Sequence, residues 1–393
     1  MTLDMSPAAR FASSLRTGIL PRPARGVRKK TGDGPIVVAG MFRTANGLGE
    51  AAKLTALGLR DLGYDPILVD LSAIFRQVDQ EPFDTLGSLP KSSRGTLILQ
   101  VNAPETRLAL RMLGLRRWHN WRIIGYWAWE LSEAPASWLP IAEHLTEIWT
   151  PSEFVTRTLS PRVNIPVLTV PHPVRMPQEI SANSLSRPAD APLRVLAMAD
   201  GRSSFYRKNV LAAARLYCRA FDPASGSELT IKLRNVSEFP EFQHKLRHLL
   251  QDRDDVNIIE GTINSKSRWD LIASHDIMLS THRAEGFGLH LAEAMTLGLC
   301  PVATGWSGNT QFMKPKNSVL LPYELESVFD PYGVYDPPPG SQWAKVNEEA
   351  GAEVLRSLNA DRDKLMRLRR AAMETDFVAN SAGLIEQALT SNS

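Results

Sequence analysis

Two carboxylates in the stretch HRAEGFGLHLAEAM, His282 to Met295, are spaced for chemistry. Glu285 stands before the turn Gly286-Phe287-Gly288, and Glu293 follows inside an apolar run with helical spacing. Glycines at such a turn let the backbone pass close to a ligand and leave amides without partners at the helix start. A helix start of this kind attracts phosphate, each contact contributing roughly 0.3–1 kcal/mol. Glu285 would then lie beside whatever the phosphates carry. Glu293, leaning back toward the helix N-terminus, could accept two hydroxyl bonds from a vicinal diol such as ribose. That layout suits a nucleotide-sugar. The alternative is a plain helix with one acid favoured by the dipole and a second on a wet face.

Two other motifs compete for attention. GLGEAA (47–52) matches G-x-G-x-x-A, and Asp70 ends a predicted strand about twenty residues later, which together form a dinucleotide fingerprint. The fingerprint needs its first glycine directly after the strand, however, and MFRTAN separates Gly40 from Gly47. An NAD-dependent oxidoreductase is therefore the weaker reading. The D-x-D matches, Asp252 to Asp254 and Asp361 to Asp363, fall in a polar turn and a charged helix, not at the end of a buried strand. No His/Cys cluster has zinc spacing.

These residues need a scaffold. A chain of 393 residues suggests two domains, and 43% apolar with 22% charged residues is an ordinary globular composition. A net charge of +3 gives no bulk electrostatic case for nucleic acid. Positive charge is concentrated before the first strand, where Arg10, Arg16, Arg22, Arg25, Arg28, Lys29 and Lys30 face only Asp4 and Asp33. Segment 1–34 reads as a disordered basic tail, either simply solvated or drawn to an anionic membrane surface. Cys218 and Cys300 sit in apolar patterns, as reduced core thiols of a cytoplasmic protein would. There is no apolar run of membrane-spanning length and no signal-peptide core.

From Pro35 the pattern alternates strand and helix: PIVVAG, PILVDL, GTLILQV, WRIIGYWAW and EIWT read as strands. It restarts after the polar stretch 176–192 with LRVLAMA, SELTIKL, VNIIEG, IMLST and CPVAT. Alternation implies parallel sheets covered by helices. The expected architecture is α/β: two Rossmann-like, doubly wound domains, 35–175 and 193–360, facing across a cleft and joined by linker 176–192. A helical segment, 361–393, would pack back toward the first domain.

At this point the residues resemble a known family, the retaining GT-B glycosyltransferases of family 4 with their E-x7-E motif. HRAEGFGLHLAEAMTLGLCPVATGWSGNTQFM is similar to that motif and its continuation. GYWAWELSEAP, IWTPSEFV and VPHPV are similar to the first domain of bacterial polysaccharide members. By the resemblance Glu285 contacts the donor sugar and Glu293 the ribose. The amides around Gly286, Phe287, Gly288 and Leu289 hold sugar hydroxyls and phosphate. A basic pair follows the first strand of the second domain, and MADGRSSFYRKN supplies Arg202 and Lys208 at matching places. Lys232 is a further cation candidate. The loop carrying Asn46, Gly47, Gly49 and Glu50 would shape the donor or acceptor site. Many relatives carry a cleft histidine where this chain has GYWAWELSE. Trp127, Trp129 or Glu130 could take that space, with Glu130 chosen to contact sugar or acceptor. His172 and His282 are candidates with structural alternatives.

The resulting expectation is a cytoplasm-facing hexosyltransferase using a UDP- or GDP-linked sugar as substrate, with no cofactor and no tightly bound metal. Its acceptor would be a saccharide or lipid-linked oligosaccharide of bacterial surface or exopolysaccharide synthesis, and its tail a peripheral membrane contact. The rival from another class is a non-catalytic glycosyltransferase-like partner subunit.

Overall fold

The computed structural model describes residues 34–75, 83, 86–114, 118–180, 185, 187, 188 and 191–390. The expected tail falls outside them except for Gly34, and the expected linker falls partly outside. Contacts divide the chain into two units.

The N-terminal unit runs to Trp129, continues over Glu133–Pro173 and takes back the chain from Phe377. Its elements are β1 (Ile36–Gly40), α1 (Gly47–Asp61), β2 (Ile67–Asp70), β3 (Gly95–Gln100), α2 (Ala103–Met112) and β4 (Trp121–Tyr126). Then come α3 (Leu139–Ala142), β5 (Glu147–Thr150), α4 (Glu153–Leu159) and β6 (Val167–Thr169). The six strands are parallel in the order β2-β1-β3-β4-β5-β6. Val37, Val38, Leu97, Ile98 and Ile124 are fully buried, because a parallel sheet covered on both faces needs unbroken apolar strands. Asn46 caps α1, its side chain accepting from Gly49 N at 2.9 Å.

The C-terminal unit spans Val174–Asp376 and includes the short segment Glu130–Ser132. It contains β7 (Arg194–Asp200), α5 (Phe205–Lys208), α6 (Val210–Ala220), β8 (Glu228–Arg234), α7 (Pro240–Leu249), β9 (Val256–Glu260) and α8 (Ser265–Ala273). These are followed by β10 (Ile277–Ser280), α9 (Leu289–Thr296), β11 (Cys300–Thr304), β12 (Val319–Leu321), β13 (Tyr323–Ser327), β14 (Gln342–Val346), α10 (Glu348–Ala360) and α11 (Arg362–Met373). Its parallel sheet has the order β9-β8-β7-β10-β11-β12. The order reverses between β7 and β10, and ligands of doubly wound sheets bind beyond the strand ends at such a point.

The chain's course is more divided than the expected boundaries. The described part of the C-terminal segment, 361–390, is two helices of different membership: α11 packs on α9 and β11, while α12 (Phe377–Thr390) packs on α1 in the N-terminal unit. Instead of one unbroken span 35–175, the N-terminal unit lacks Glu130–Ser132, leaves off at Pro173 and resumes at Phe377. The antiparallel hairpin β13–β14 is an addition, hidden in sequence by its outward charges and the Pro-rich stretch between its strands.

Arg122 fixes α12 to the first sheet. Its buried guanidinium donates to Leu389 O at 2.8 Å, Ala388 O at 2.5 Å and Glu147 Oε1 at 2.7 Å. Removing one partner of a buried pair strands the other's charge, so Arg122→Met should destabilise by about 3–5 kcal/mol. Glu147→Gln, which keeps an acceptor near Trp149 Nε1, should cost less. Urea unfolding of both variants checks the order, and equal losses would contradict it.

Candidate functional site

The loop after β7 is shaped before it is charged. Asp200 Oδ1 accepts from Arg202 N at 3.0 Å and Asn235 Nδ2 at 2.7 Å, which holds a single 3-10 turn, Gly201–Ser203. Ser204 and Asn209 both lie at positive φ, 62° and 54°, and bracket the one-turn helix α5. Ser204 Oγ caps it from Arg207 N at 3.1 Å. Asn209 Nδ2 donates to Thr281 O at 3.0 Å, and Thr281 Oγ1 returns a bond to Asn209 O at 2.7 Å. Non-glycine residues at positive φ carry strain and persist where surroundings over-determine them. Here the reciprocal pair binds the loop to the end of β10.

That arrangement brings Arg207 and Lys208 onto Glu285. The Glu285 carboxylate, 5% exposed, pairs with Lys208 Nζ through one oxygen and with Arg207 Nη1 at 3.3 Å through the other. Arg207 is further held by Ser203 O at 3.1 Å and Ala284 O at 2.6 Å, and its Nη2 lies 4.0 Å from Glu130 Oε1. Burial pushes the Glu285 carboxyl up, but Lys208 and then Arg207 outweigh it and hold it far below the usual carboxylate range. Burial pulls Lys208 down against the attraction of Glu285.

The backbone of this turn is equally constrained. Glu285 N donates to Ser307 Oγ at 2.7 Å, and Gly308 N donates to Glu285 O at 2.8 Å. His282 is buried beneath, with Nε2 facing two acceptors, Trp306 O at 3.2 Å and Asn309 Oδ1 at 3.0 Å. Nε2 therefore carries the proton, and Nδ1 accepts from Ser280 Oγ at 3.0 Å. Gly288 starts α9 at φ 93°, and no side chain caps that helix. A Cβ there would meet Leu291 Cδ1 at 3.2 Å in a backbone region that side chains rarely adopt. The site thus joins two cations, a carboxylate and an uncapped helix start at the sheet's switch point.

Residues 155–380, more than half of the chain, match the profile of the family described as "Family 4 Glycosyltransferase in conflict systems". The chain is a family 4 glycosyltransferase. Comparison with curated proteins finds no match. Among solved structures, a glycosyltransferase from Rickettsia africae is 14% identical over 91% of this chain and 99% of its own, with a TM-score of 0.59. Anabaena HepE, solved in complex with UDP-glucose, is 13% identical over 90% of this chain and 99% of its own, at 0.57. S. aureus TarM, solved with UDP among its ligands, is 12% identical over 76% of this chain, at 0.53, and this chain spans 55% of its length. At these identities the likeness establishes the fold, the GT-B fold of two Rossmann-like units.

Within this glycosyltransferase the predicted residues separate. Glu285, Lys208, Glu130 and the turn Gly286 to Leu289 come together. Glu293, 2% exposed in α9, is paired with Arg268 of α8. The Phe287 ring packs on Phe312, centroids 4.9 Å apart. The half-exposed Arg202 guanidinium pairs with Glu238 at 2.6 Å, and it is Arg207 that pairs with Glu285 beside Lys208. Lys232 donates to Leu233 O at 3.2 Å and to Gly261 O, closing the ends of β8 and β9 instead of reaching the cluster.

The N-terminal candidates have local roles. Asn46 is a helix cap, Gly47 the first residue of α1, and Glu50 lies 3.9 Å from Lys53. Gly49 is needed because a Cβ would stand 2.1 Å from Thr44 O. Asp70 accepts from its own neighbour Ser72. Trp127 and Trp129 both pack edge-on against Trp138. His172 stacks on Tyr126, whose hydroxyl lies 3.1 Å from Nδ1. Among the described residues, no three His, Cys, Asp or Glu side chains are grouped to hold a metal. Sequence reasoning missed Arg207 and Arg268. The adjacent basic pair in YRKN was the available signal for Arg207.

Burial lowers His172 from 6.5 to about 3. The unfolded chain binds that proton near pH 6.5 and the native unit does not, so its contribution to stability is fully present above about 6.5 and lost progressively toward about 3. His172→Phe should flatten the fall in urea stability across that window. An unchanged pH slope would remove His172 as its source.

Proposed function

We propose that this glycosyltransferase moves a hexose from a nucleotide-sugar to a saccharide or lipid-linked oligosaccharide, with retention at the anomeric carbon. The observation that carries the reading is the shared ion pairing of Arg207 and Lys208 with Glu285, set against the uncapped start of α9. As the glycosidic C–O bond breaks, negative charge grows on the departing diphosphate, and fixed cations and helix-start amides stabilise it. Each charge-assisted bond contributes about 1.5–3 kcal/mol. These side chains supply the positive charge in this reading, with no tightly bound metal required.

Glu285 is a poor general base, because its two cations keep it ionised far below neutral pH. It is assigned to orient sugar hydroxyls. The acceptor hydroxyl then attacks the anomeric carbon from the face the diphosphate leaves. Its proton passes to the leaving phosphate oxygen as the new glycosidic bond forms. Glu293, near-fully buried within α9, is assigned to the ribose diol. UDP- and GDP-linked sugars both fit this layout, and the complexes of HepE with UDP-glucose and TarM with UDP favour uridine. The acceptor class, its setting in bacterial surface or exopolysaccharide synthesis and a peripheral membrane role for the basic tail rest on sequence resemblance and charge. No helix among the described residues is long and apolar enough to cross a membrane.

A panel of UDP- and GDP-sugars, with products read by mass spectrometry, tests the reaction. Lys208→Ala should lower turnover by about 10- to 150-fold, the rate equivalent of one lost charged bond. Arg202→Ala, which loses an exposed pair worth at most about 1 kcal/mol, should keep near-native turnover. Equal losses in the two variants would refute the placement of the diphosphate, and a panel yielding neither binding nor product would refute the reaction.

A further inference from the structure

The β13–β14 hairpin does more than decorate the sheet edge. Ala344 N donates to Arg283 O at 2.8 Å, and Arg283 N donates to Arg207 O at 2.7 Å, so hairpin, active turn and cation loop are joined through one residue. The Arg283 guanidinium lies over Tyr206 at 4.4 Å and over Trp343 at 5.4 Å, and it pairs with Glu326 of β13. Gln342 N donates to Ser132 Oγ at 2.8 Å.

The stretch between the two strands is a built loop. Asp330 accepts from three backbone amides, Tyr332 N at 3.1 Å, Val334 N at 3.2 Å and Tyr335 N at 3.3 Å. An Asx side chain used in this way replaces a regular hydrogen-bond ladder. Its aromatic residues divide: Phe329 is 68% exposed, and Tyr332 packs edge-on against Phe239 and Phe242. Tyr335 is the one turned toward the cation cluster. Its ring lies 5.7 Å from the Arg207 guanidinium, within cation–π range, and its hydroxyl bonds to the Glu130 carboxylate.

We propose that Tyr335 is a positioning residue: its ring and hydroxyl hold Arg207 and Glu130 in register with Glu285 for a donor diphosphate, and the β13–β14 hairpin serves the site by carrying it. This rests on the diphosphate reading above. Without the ring Arg207 keeps Glu285, two carbonyls and the 4.0 Å approach of Glu130, and a guanidinium loosened on the ring side meets the developing charge late. Lys208 still draws the donor, so the defect belongs in turnover and not in donor affinity.

Three variants test this: Tyr335→Ala, Tyr335→Phe and Asp330→Ala. Two readouts are independent of each other, donor kinetics and the rate at which phenylglyoxal labels Arg207 without donor, followed by peptide mass mapping. Tyr335→Ala should lower kcat by about tenfold or more, as misplaced catalytic groups do, with donor KM close to native and Arg207 labelled faster. Tyr335→Phe, which keeps the ring, should restore the shielding of Arg207 and part of kcat. Asp330→Ala, which releases the loop without touching the cluster, should shift both readouts in the same direction as Tyr335→Ala and serves in its place if that variant fails to fold. Native kcat and native labelling in Tyr335→Ala or Asp330→Ala overturn the proposal. If the native enzyme uses no nucleotide-sugar, the diphosphate reading falls, and Arg207 labelling alone decides whether Tyr335 positions that side chain.

Discussion

One carboxylate shared by two adjacent cations organises the C-terminal unit. Taking Glu285, Arg207 and Lys208 out of water costs several kcal/mol per ion, and such a group is weak evidence for stability. The fold meets that cost with precise partners. Arg207 spends donors on Ser203 O and Ala284 O, and the Glu285 backbone is bonded on both sides, to Ser307 and Gly308. These three charges are the groups on which the proposed diphosphate site rests.

The strained positions follow from the same requirement. Of the four non-glycine residues at positive φ among the described residues, Ser204, Asn209 and Ser307 border the cluster, and Asn235 braces the loop after β7 through Asp200. Ser204 and Asn209 turn a single helical turn so that neighbours in sequence converge on one carboxylate. Ser307 turns the chain after β11 so that its hydroxyl meets Glu285 N. The neutral His282 supports that second turn from below by joining Ser280, Trp306 and Asn309. Strain of this kind clusters where chemistry is done.

Much of the fold was legible because burial writes it plainly. Parallel strands covered on both faces are apolar through their middles, and PIVVAG, GTLILQ and CPVAT are, with polar residues only toward their ends. The E-x7-E spacing and its glycines placed Glu285 and Glu293 on the correct turn and helix. The helices after Asp361 were harder, since the amphipathic patterns of α11 and α12 do not say which sheet each will cover. Hairpin β13–β14 was hidden because its strands alternate with charge and its connection is rich in proline. Arg202 was carried over from the resemblance, which places a basic pair after the strand, whereas the one-turn helix between two left-handed residues that turns Arg207 onto Glu285 has no local signal.

The sequence by itself determined that two parallel α/β units exist, that a glycine turn opening a helix has one carboxylate before it and another inside the helix, and that basic residues follow the seventh strand. Local periodicity and side-chain type suffice for that, because each is set by neighbours a few residues away. Which cation meets Glu285, that Arg202 turns to Glu238, and that Tyr335 arrives from a distant hairpin were decided only by tertiary structure. Those pairings join residues tens of positions apart, and their energy depends on burial and direction that no local pattern encodes.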